Sequence, residues 1–346
     1  VRGGIVPPRE TSVRPSPAVL TVLILALLLG AAAAAGLLAG HGDLGDRLQR
    51  GLYLELRATR IALAALAGAA LAVGGVLVQG LFRNPLASPS VLGTTAGAAL
   101  GGQSVILLHG TLGALLPAWL VPEMALPLGC LLGAGLALAL LLAVVGRVQR
   151  GGGDALVAVL LVGFVLASGF ASVAALVTWL AAEQWELGRA LMSFSLGGVD
   201  GKGLRHVGLA LPLVGVGLVA AWLWGRHLDL LLAGEDEAAA LGVEVGAARF
   251  WILAWTAVLT GAAVAVGGGV AFVGLVVPHL LRPFTGVSHR RLIPAAALGG
   301  AAFLVACDAL CRLSPGSELP LGVVTGLVGA PVFAWLLLRA GREGWL

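Results

Sequence analysis

Between Ala18 and Ala39 the chain runs for 22 residues without a charged side chain, and stretches of this kind recur to its far end. About 18 such residues suffice to cross the hydrocarbon core of a bilayer. Lipid offers a backbone no hydrogen-bond partner, so a spanning segment has to satisfy its own N–H and C=O groups, which long uninterrupted runs do as helices. The composition agrees: 59% of residues are hydrophobic and 11% charged, against about 25% charged in an average soluble domain. Mean hydropathy is +1.02. The 53 glycines show no collagen-like period and suit helices whose backbones approach closely in lipid. Cys130, Cys307 and Cys311 lie inside apolar segments and read as small buried hydrophobes, not as a disulfide or metal pair.

Ten spans are expected, near 18–39, 60–81, 90–108, 122–145, 155–181, 207–225, 250–266, 268–282, 292–310 and 319–338. Arg2, Arg9 and Arg14 precede the first, which exceeds the roughly 7–15 residues of a signal-peptide core and reads as an uncleaved span. The eighth is short and follows Gly267-Gly268-Gly269. Such a helix survives at membrane depth only where protein or a water-filled cavity covers it, which makes it a candidate channel wall. With the N-terminus inside, the basic residues divide 13 inside to 8 outside, the sign that the positive-inside rule requires. Trp222, Trp224, Trp251 and Trp335 then fall near inner span ends, and Trp119, Trp179 and Trp185 near outer ones. The expected organisation is a cytoplasmic tail over 1–17, one ten-helix domain over 18–340 and a cytoplasmic tail over 341–346.

One polar, helix-forming insertion interrupts this pattern, Gly234 to Val245. Glu235, Asp236 and Glu237 occupy a first helical turn, where the positive end of the dipole favours acids. Gly242 is a natural C-terminal stop, and a second turn can start at Glu244. A polar helix pair hung between apolar helices, about 229–248, is a handle for a soluble partner. The same orientation puts it in the cytoplasm.

Gly68-Ala-Ala-Leu-Ala-Val-Gly-Gly75 matches Gly261-Ala-Ala-Val-Ala-Val-Gly-Gly268 at seven of eight positions, and at the same offset of 193 Pro85 meets Pro278. Spans two and seven run in opposite directions, so the match reads either as an inverted repeat of the transporter kind or as coincidence between two Ala/Gly-rich helices.

Soluble-style catalysis has no signature. Neither a His-Glu-x-x-His zinc pattern nor a Gly-x-x-x-x-Gly-Lys-Ser/Thr phosphate loop occurs, so any ATP that drives the protein binds another chain. Proton relays need ionisable groups near the bilayer centre; Asp308 and His279 come nearest, and both sit toward span ends. This disfavours a secondary transporter, and an intramembrane enzyme lacks its catalytic pair. The Asn84-Pro85-Leu86-Ala87-Ser88-Pro89 turn is either a rigid connection fixed by its prolines or a gate formed by Asn84 and Leu86. Gly93, Gly97 and Gly101 form one smooth helix face for close packing. Arg57 and Arg60, three apart on the outer side, share a helix face that is either simply solvated or steers an acidic partner.

Several segments together resemble the iron-siderophore, haem and vitamin B12 family of ABC importer permeases. They are Arg57-Ala-Thr-Arg60, Gly68-Ala-Ala-Leu-Ala72, Gln79-Gly-Leu-Phe-Arg-Asn-Pro-Leu-Ala87 with Leu92-Gly93, Leu196-Gly-Gly-Val-Asp200 and Glu237-Ala-Ala-Ala-Leu-Gly-Val243. Further along come Phe272-Val-Gly-Leu-Val-Val-Pro-His279 with Arg282, Asp308 with Arg312, Glu318-Leu-Pro-Leu-Gly-Val-Val-Thr325 and Gly329-Ala-Pro331. The resemblance implies an all-α, inverted-repeat type II importer permease in a bacterial inner membrane, with both termini cytoplasmic. It implies a homodimer with the pathway at its two-fold interface, two cytoplasmic ATPase subunits holding ATP and Mg, and a periplasmic substrate-binding protein. Nucleic acid has no place in it, and this chain would hold neither metal nor cofactor. Glu235, Asp236, Ala238, Ala239, Leu241 and Gly242 would engage the ATPase, with Leu241 as apolar anchor. Asn84 and Leu86 match the family's cytoplasmic gate, and Arg57, Arg60 and Arg312 match arginines that dock glutamates of the binding protein. Thr59 stands where the family often has Pro, so the local helix start differs. Phe164, Met192, Ser193 and Phe194 are expected to line a pathway for haem or another iron chelate, with cobalamin as the alternative.

Overall fold

The computed structural model describes residues 17–39, 50–113, 117, 121–150, 155–314 and 317–342, and among these all regular structure is helical. The helices are α1 (Pro17–Leu38), α2 (Arg50–Leu81), α3 (Thr94–Leu112), α4 (Pro122–Arg150), α5 (Ala155–Leu180) and α6 (Trp185–Leu196). They continue with α7 (Leu204–Ala233), α8 (Glu235–Ala240), α9 (Val245–Gly267), α10 (Val273–Thr285), α11 (His289–Cys311) and α12 (Leu321–Arg342). The ten expected spans fall on α1 to α5, α7 and α9 to α12; α6 is an addition, and α8 is the polar insertion. Seven of the ten are long and apolar enough to cross a membrane by themselves. Most of the two expected tails, with Arg2, Arg9 and Arg14, and also Trp119, lie outside the described residues.

Burial sorts the helices into inner and outer ones. About 78% of the apolar window of α2 is buried and 72% of those of α9 and α11, against 11% for α1 and α5. The inner helices have the small residues that close approach demands. A Cβ on Gly68 of α2 would collide with the carbonyl of Gly300 in α11, and one on Gly97 of α3 with the carbonyl of Gly133 in α4. Gly97 and Gly101 form the expected packing face, against Gly133 and Gly129 of α4. Gly93 does not belong to that face: at φ +78° it turns the chain from the 3-10 turn Pro89–Leu92 into α3 and packs against α5. The three cysteines are buried and unpaired, as expected of small hydrophobes.

Both matched octets lie in inner helices, α2 and α9, which pack against each other. After the octet the copies diverge. α2 continues to Leu81, whereas α9 stops at Gly267, and Gly268 (φ +63°) and Phe272 (φ +64°) lead into the short α10. Protein covers the break: Gly198 N–H donates to the Gly267 carbonyl at 2.9 Å, and Gly269 N–H to the Phe194 carbonyl at 3.1 Å. α11 begins where a carboxylate waits for it. Asp229, near the end of α7, accepts the His289 N–H at 2.7 Å and the Ser288 hydroxyl at 3.1 Å, which answers the unpaired donors and positive dipole of that helix start.

Candidate functional site

Two ends of the bundle gather polar side chains. At the first, where α2 begins and α11 ends, Arg60 Nε donates to Asp308 Oδ1 at 2.8 Å and its Nη1 to Glu318 Oε2 at 2.7 Å. Arg312, one helical turn beyond Asp308, completes the cluster with Nη2 2.9 Å from Asp308 Oδ2. Two arginines thus balance two carboxylates. Arg312 Nη1 also donates to the Gly36 carbonyl at 2.8 Å, and Arg57 Nη1 to the Leu37 carbonyl at 2.7 Å. The last turn of α1 ends with unsatisfied carbonyls and a negative dipole, and the two guanidinium groups answer both.

This placement redraws the expected docking surface. Arg60 and Arg312 do converge, but on carboxylates of their own chain. Arg57 and Arg312 are 7% and 4% exposed and direct donors at α1. The groups of this cluster that reach the surface are Arg60 and, more fully, Glu318, with side chains 15% and 36% exposed.

Beside the cluster lies a cavity of about 250 Å³ between α2, α6 and the start of α12. Arg60, Arg189, Asp200 and Glu318 supply its charges, and Met192, Ser193, Leu196 and Leu321 much of the rest of its wall. Two of the four expected pathway residues, Met192 and Ser193, therefore line it. Phe194 does not: its ring packs toward Gly102 of α3 and joins the apolar core there. Phe164 projects from α5, 68% exposed and away from this cavity. The cavity wall is tied to the end of α6, where Leu321 N–H donates to the Gly197 carbonyl at 3.0 Å, and the next residue, Gly198, donates to Gly267 at the α9 break. Lys202, the only lysine in the chain, donates to the Gly198 carbonyl at 3.0 Å and the Val266 carbonyl at 2.5 Å, placing its ammonium at the negative end of α9. Burial lowers its pKa to about 8, with Asp200 opposing.

At the opposite end α8 projects from the bundle. Glu235, Asp236 and Glu237 fill its first turn, and Gly234 (φ 143°) and Gly242 (φ +86°) make the bends on either side. Glu235 pairs with Arg249 of α9. Leu241 is 66% exposed, and Ala239 and Gly242 are exposed beside it. Ala238 departs from the expected contact set: it has no exposed surface and packs in the core of its own chain, so it positions α8 instead of touching a partner.

The Asn84–Pro89 turn is internally braced. Asn84 Oδ1 accepts the Leu86 N–H at 2.9 Å, an Asx-type turn, and the Arg83 guanidinium (backbone φ +49°) donates to the Leu231 carbonyl at 2.6 Å. Next to it Gln79 bridges the Leu275 carbonyl and Arg282 at 3.2 and 3.3 Å. Sequence reasoning missed the positional roles of Gln79, Asp229, Lys202 and Glu318. The standing of Lys202 as sole lysine was a usable signal, whereas the partners of the other three are remote in sequence.

The model of the FecCD transport family matches residues 18–339. Fe(3+) dicitrate transport system permease protein FecD of Escherichia coli is 39% identical over 83% of this chain and 85% of its own length. Hemin transport system permease protein HmuU of Yersinia pestis is 38% identical over 84% of each chain. Vitamin B12 import system permease protein BtuC of Vibrio cholerae is 41% identical over 84% of each. A metal-chelate type ABC transporter solved in an inward-facing conformation superposes with a TM-score of 0.81 at 27% identity, covering 93% of this chain and 99% of that one.

Proposed function

The chain belongs to the FecCD transport family of ABC importer permeases, and from that premise we propose that it imports haem or another iron chelate across a bacterial inner membrane. Two copies would form the pathway, two ATPase subunits would supply the energy, and a periplasmic binding protein would deliver the cargo. The observation that carries this reading is α8: acids in its first turn, Ala238 locking it to the bundle, and Leu241 left 66% exposed. A large apolar side chain at the tip of a polar elbow fits a groove on a soluble partner. In this orientation the α8 end and both termini face the cytoplasm, and the Asp308 end faces the binding protein. Arg60 and Glu318 would meet that protein directly, while Arg57 and Arg312 hold the surface from behind. Asn84 and Leu86 would close the pathway at the α8 end.

The relatives named for Fe(3+) dicitrate, hemin and vitamin B12 stand at similar identity, so cobalamin is the second reading. The deciding experiment reconstitutes the chain with its ATPase and binding protein in liposomes and measures uptake of haem, ferric citrate and cobalamin. Uptake that requires ATP on the ATPase side and survives collapse of ion gradients is the expected result. Uptake that follows an ion gradient without ATP would overturn the importer reading.

A further inference from the structure

Near the end of α7 that leads into α8, an exposed apolar face runs into a basic one. Val216, Val219 and Leu223 are 58%, 60% and 55% exposed and share a face of the helix with Trp222 and Arg226, both also exposed. Arg290, at the start of α11, reaches the same spot: its guanidinium carbon lies 4.5 Å from the centre of the Trp222 ring. Gly225, one turn beyond Trp222, faces the Arg290 backbone, whose nitrogen is 3.4 Å from where a Cβ would stand. Among the described residues neither Arg226 nor Arg290 forms an ion pair. The next acid along α7, Asp229, is spent on Ser288 and His289.

Two guanidinium groups and an indole ring thus stand together at the end of an apolar stripe, with no counter-ion from their own chain. On a membrane-spanning helix this is the level where hydrocarbon gives way to headgroups and where Trp settles. A soluble acidic partner would answer the charges and leave the stripe bare. A phospholipid answers both, with an acyl chain along Val216, Val219 and Leu223 and its phosphate between the arginines. A zwitterionic headgroup fits less well, because its ammonium would come up against two like charges.

We propose that α7 and the start of α11 form a binding site for one anionic phospholipid, whose phosphate is held by Arg226 and Arg290, with Trp222 fixing the Arg290 guanidinium by a cation–π contact. The site depends on neither cargo nor ATP. By joining α7 to α11 the lipid would brace the helix that carries α8.

Native mass spectrometry of the full-length chain, equilibrated in micelles with phosphatidylglycerol or with phosphatidylcholine of the same acyl chains, gives the affinity for each lipid. Phosphatidylglycerol is expected to bind about 25-fold more tightly, about fivefold for each guanidinium near the membrane surface. Arg226→Gln combined with Arg290→Gln should remove that preference, and the corresponding pair of Lys variants should keep part of it. Arg291→Gln is the control, since this exposed arginine is next to Arg290 but about 100° further round α11. The preference should survive it. Equal affinity for the two lipids in the unmodified chain overturns the proposal, as does an unchanged preference in the Gln pair. An equal loss from Arg291→Gln would mean diffuse charge in place of a site, and also overturns it. Displacement of phosphatidylglycerol by millimolar inorganic phosphate would make this a site for free anions, against the proposal. If the Gln pair keeps the preference but loses a second copy of the chain or the ATPase subunits, the face belongs to a protein partner and the proposal fails.

Discussion

At one end of the bundle Asp308 has no exposed surface and meets two arginines; at the other, Glu235 has half its side chain in solvent and meets one. Both arrangements are acid–base pairs, yet they do different work. A buried carboxylate between Arg60 and Arg312 joins α2 to α11 and is answered entirely within the chain, and Arg60 reaches on to Glu318 just before α12. The pair at α8 leaves Asp236, Glu237 and Leu241 to whatever approaches. Charge sign alone does not mark a partner surface. Exposure does, and by that measure the α8 end offers more to a partner than the arginine end.

The sharpest way to break this comparison is Asp308→Ala. Removing the carboxylate leaves Arg312 buried and Arg60 partly so, without their main counter-charge, and breaking a buried pair from one side costs about 3–5 kcal/mol. The expected outcome is a large fall in folded yield and in midpoint temperature, read by thermal unfolding in detergent. A variant that melts like the parent would show that the cluster is dispensable for the fold.

Leu241→Asp tests the other end and should show the opposite split. Leu241 is already 66% exposed, so the folded yield should stay within about 0.5 kcal/mol of the parent. ATP-driven uptake should fall by at least tenfold, because the aspartate would be buried unpaired in the ATPase groove. Normal uptake would remove α8 from the coupling path.

The contrast also explains which parts were legible in the sequence. Spans were readable because lipid makes each helix satisfy itself, so the signal is local: α1, α2 and α9 appear as runs of the right length. The α8 elbow was readable for the converse reason, since acids, small residues and Gly242 cannot belong to a lipid-facing helix. Gly267-Gly268-Gly269 announced the break after α9. What it docks on, Gly198 and Phe194, is about 70 residues away and leaves no local trace. The Arg60–Asp308 pair joins residues 248 apart, so three outer arginines looked free when Arg57 and Arg312 are turned inward. Ala238 was misread for a related reason: a helical turn of small residues shows no preferred face until the neighbouring helices are placed.

Lys202 sharpens the comparison with a smaller, pH-dependent effect. Its folded pKa of about 8 lies below the ordinary 10.5, because burial disfavours the ammonium more than Asp200 favours it; Cys130 also favours the charge and Arg60 opposes it. The unfolded chain therefore binds more protons between these values, so stability should rise as pH climbs from about 8 to 10.5 and level off on either side of that window. Lys202→Met should flatten that rise in midpoint temperature, and as Lys202 is the sole lysine, no other ammonium side chain confuses the difference. A parent profile that is flat over the window, or equally steep in the variant, would contradict the burial argument.

The smallest effect belongs to the exposed pair. Glu235 and Arg249 are 50% and 40% exposed, and such pairs contribute about 0–1 kcal/mol, less as salt screens them. Glu235→Gln should leave the midpoint temperature nearly unchanged, and any loss should vanish at high ionic strength, whereas the loss from Asp308→Ala should persist there. ATPase association gives the second half of the test. Glu235 also sits at the positive end of the α8 dipole, so its removal is expected to loosen the elbow slightly and weaken association no more than a few-fold. A salt-insensitive destabilisation as large as that of Asp308→Ala would mean that the α8 pair is a structural lock like the one at the other end, and the distinction between the two ends would collapse.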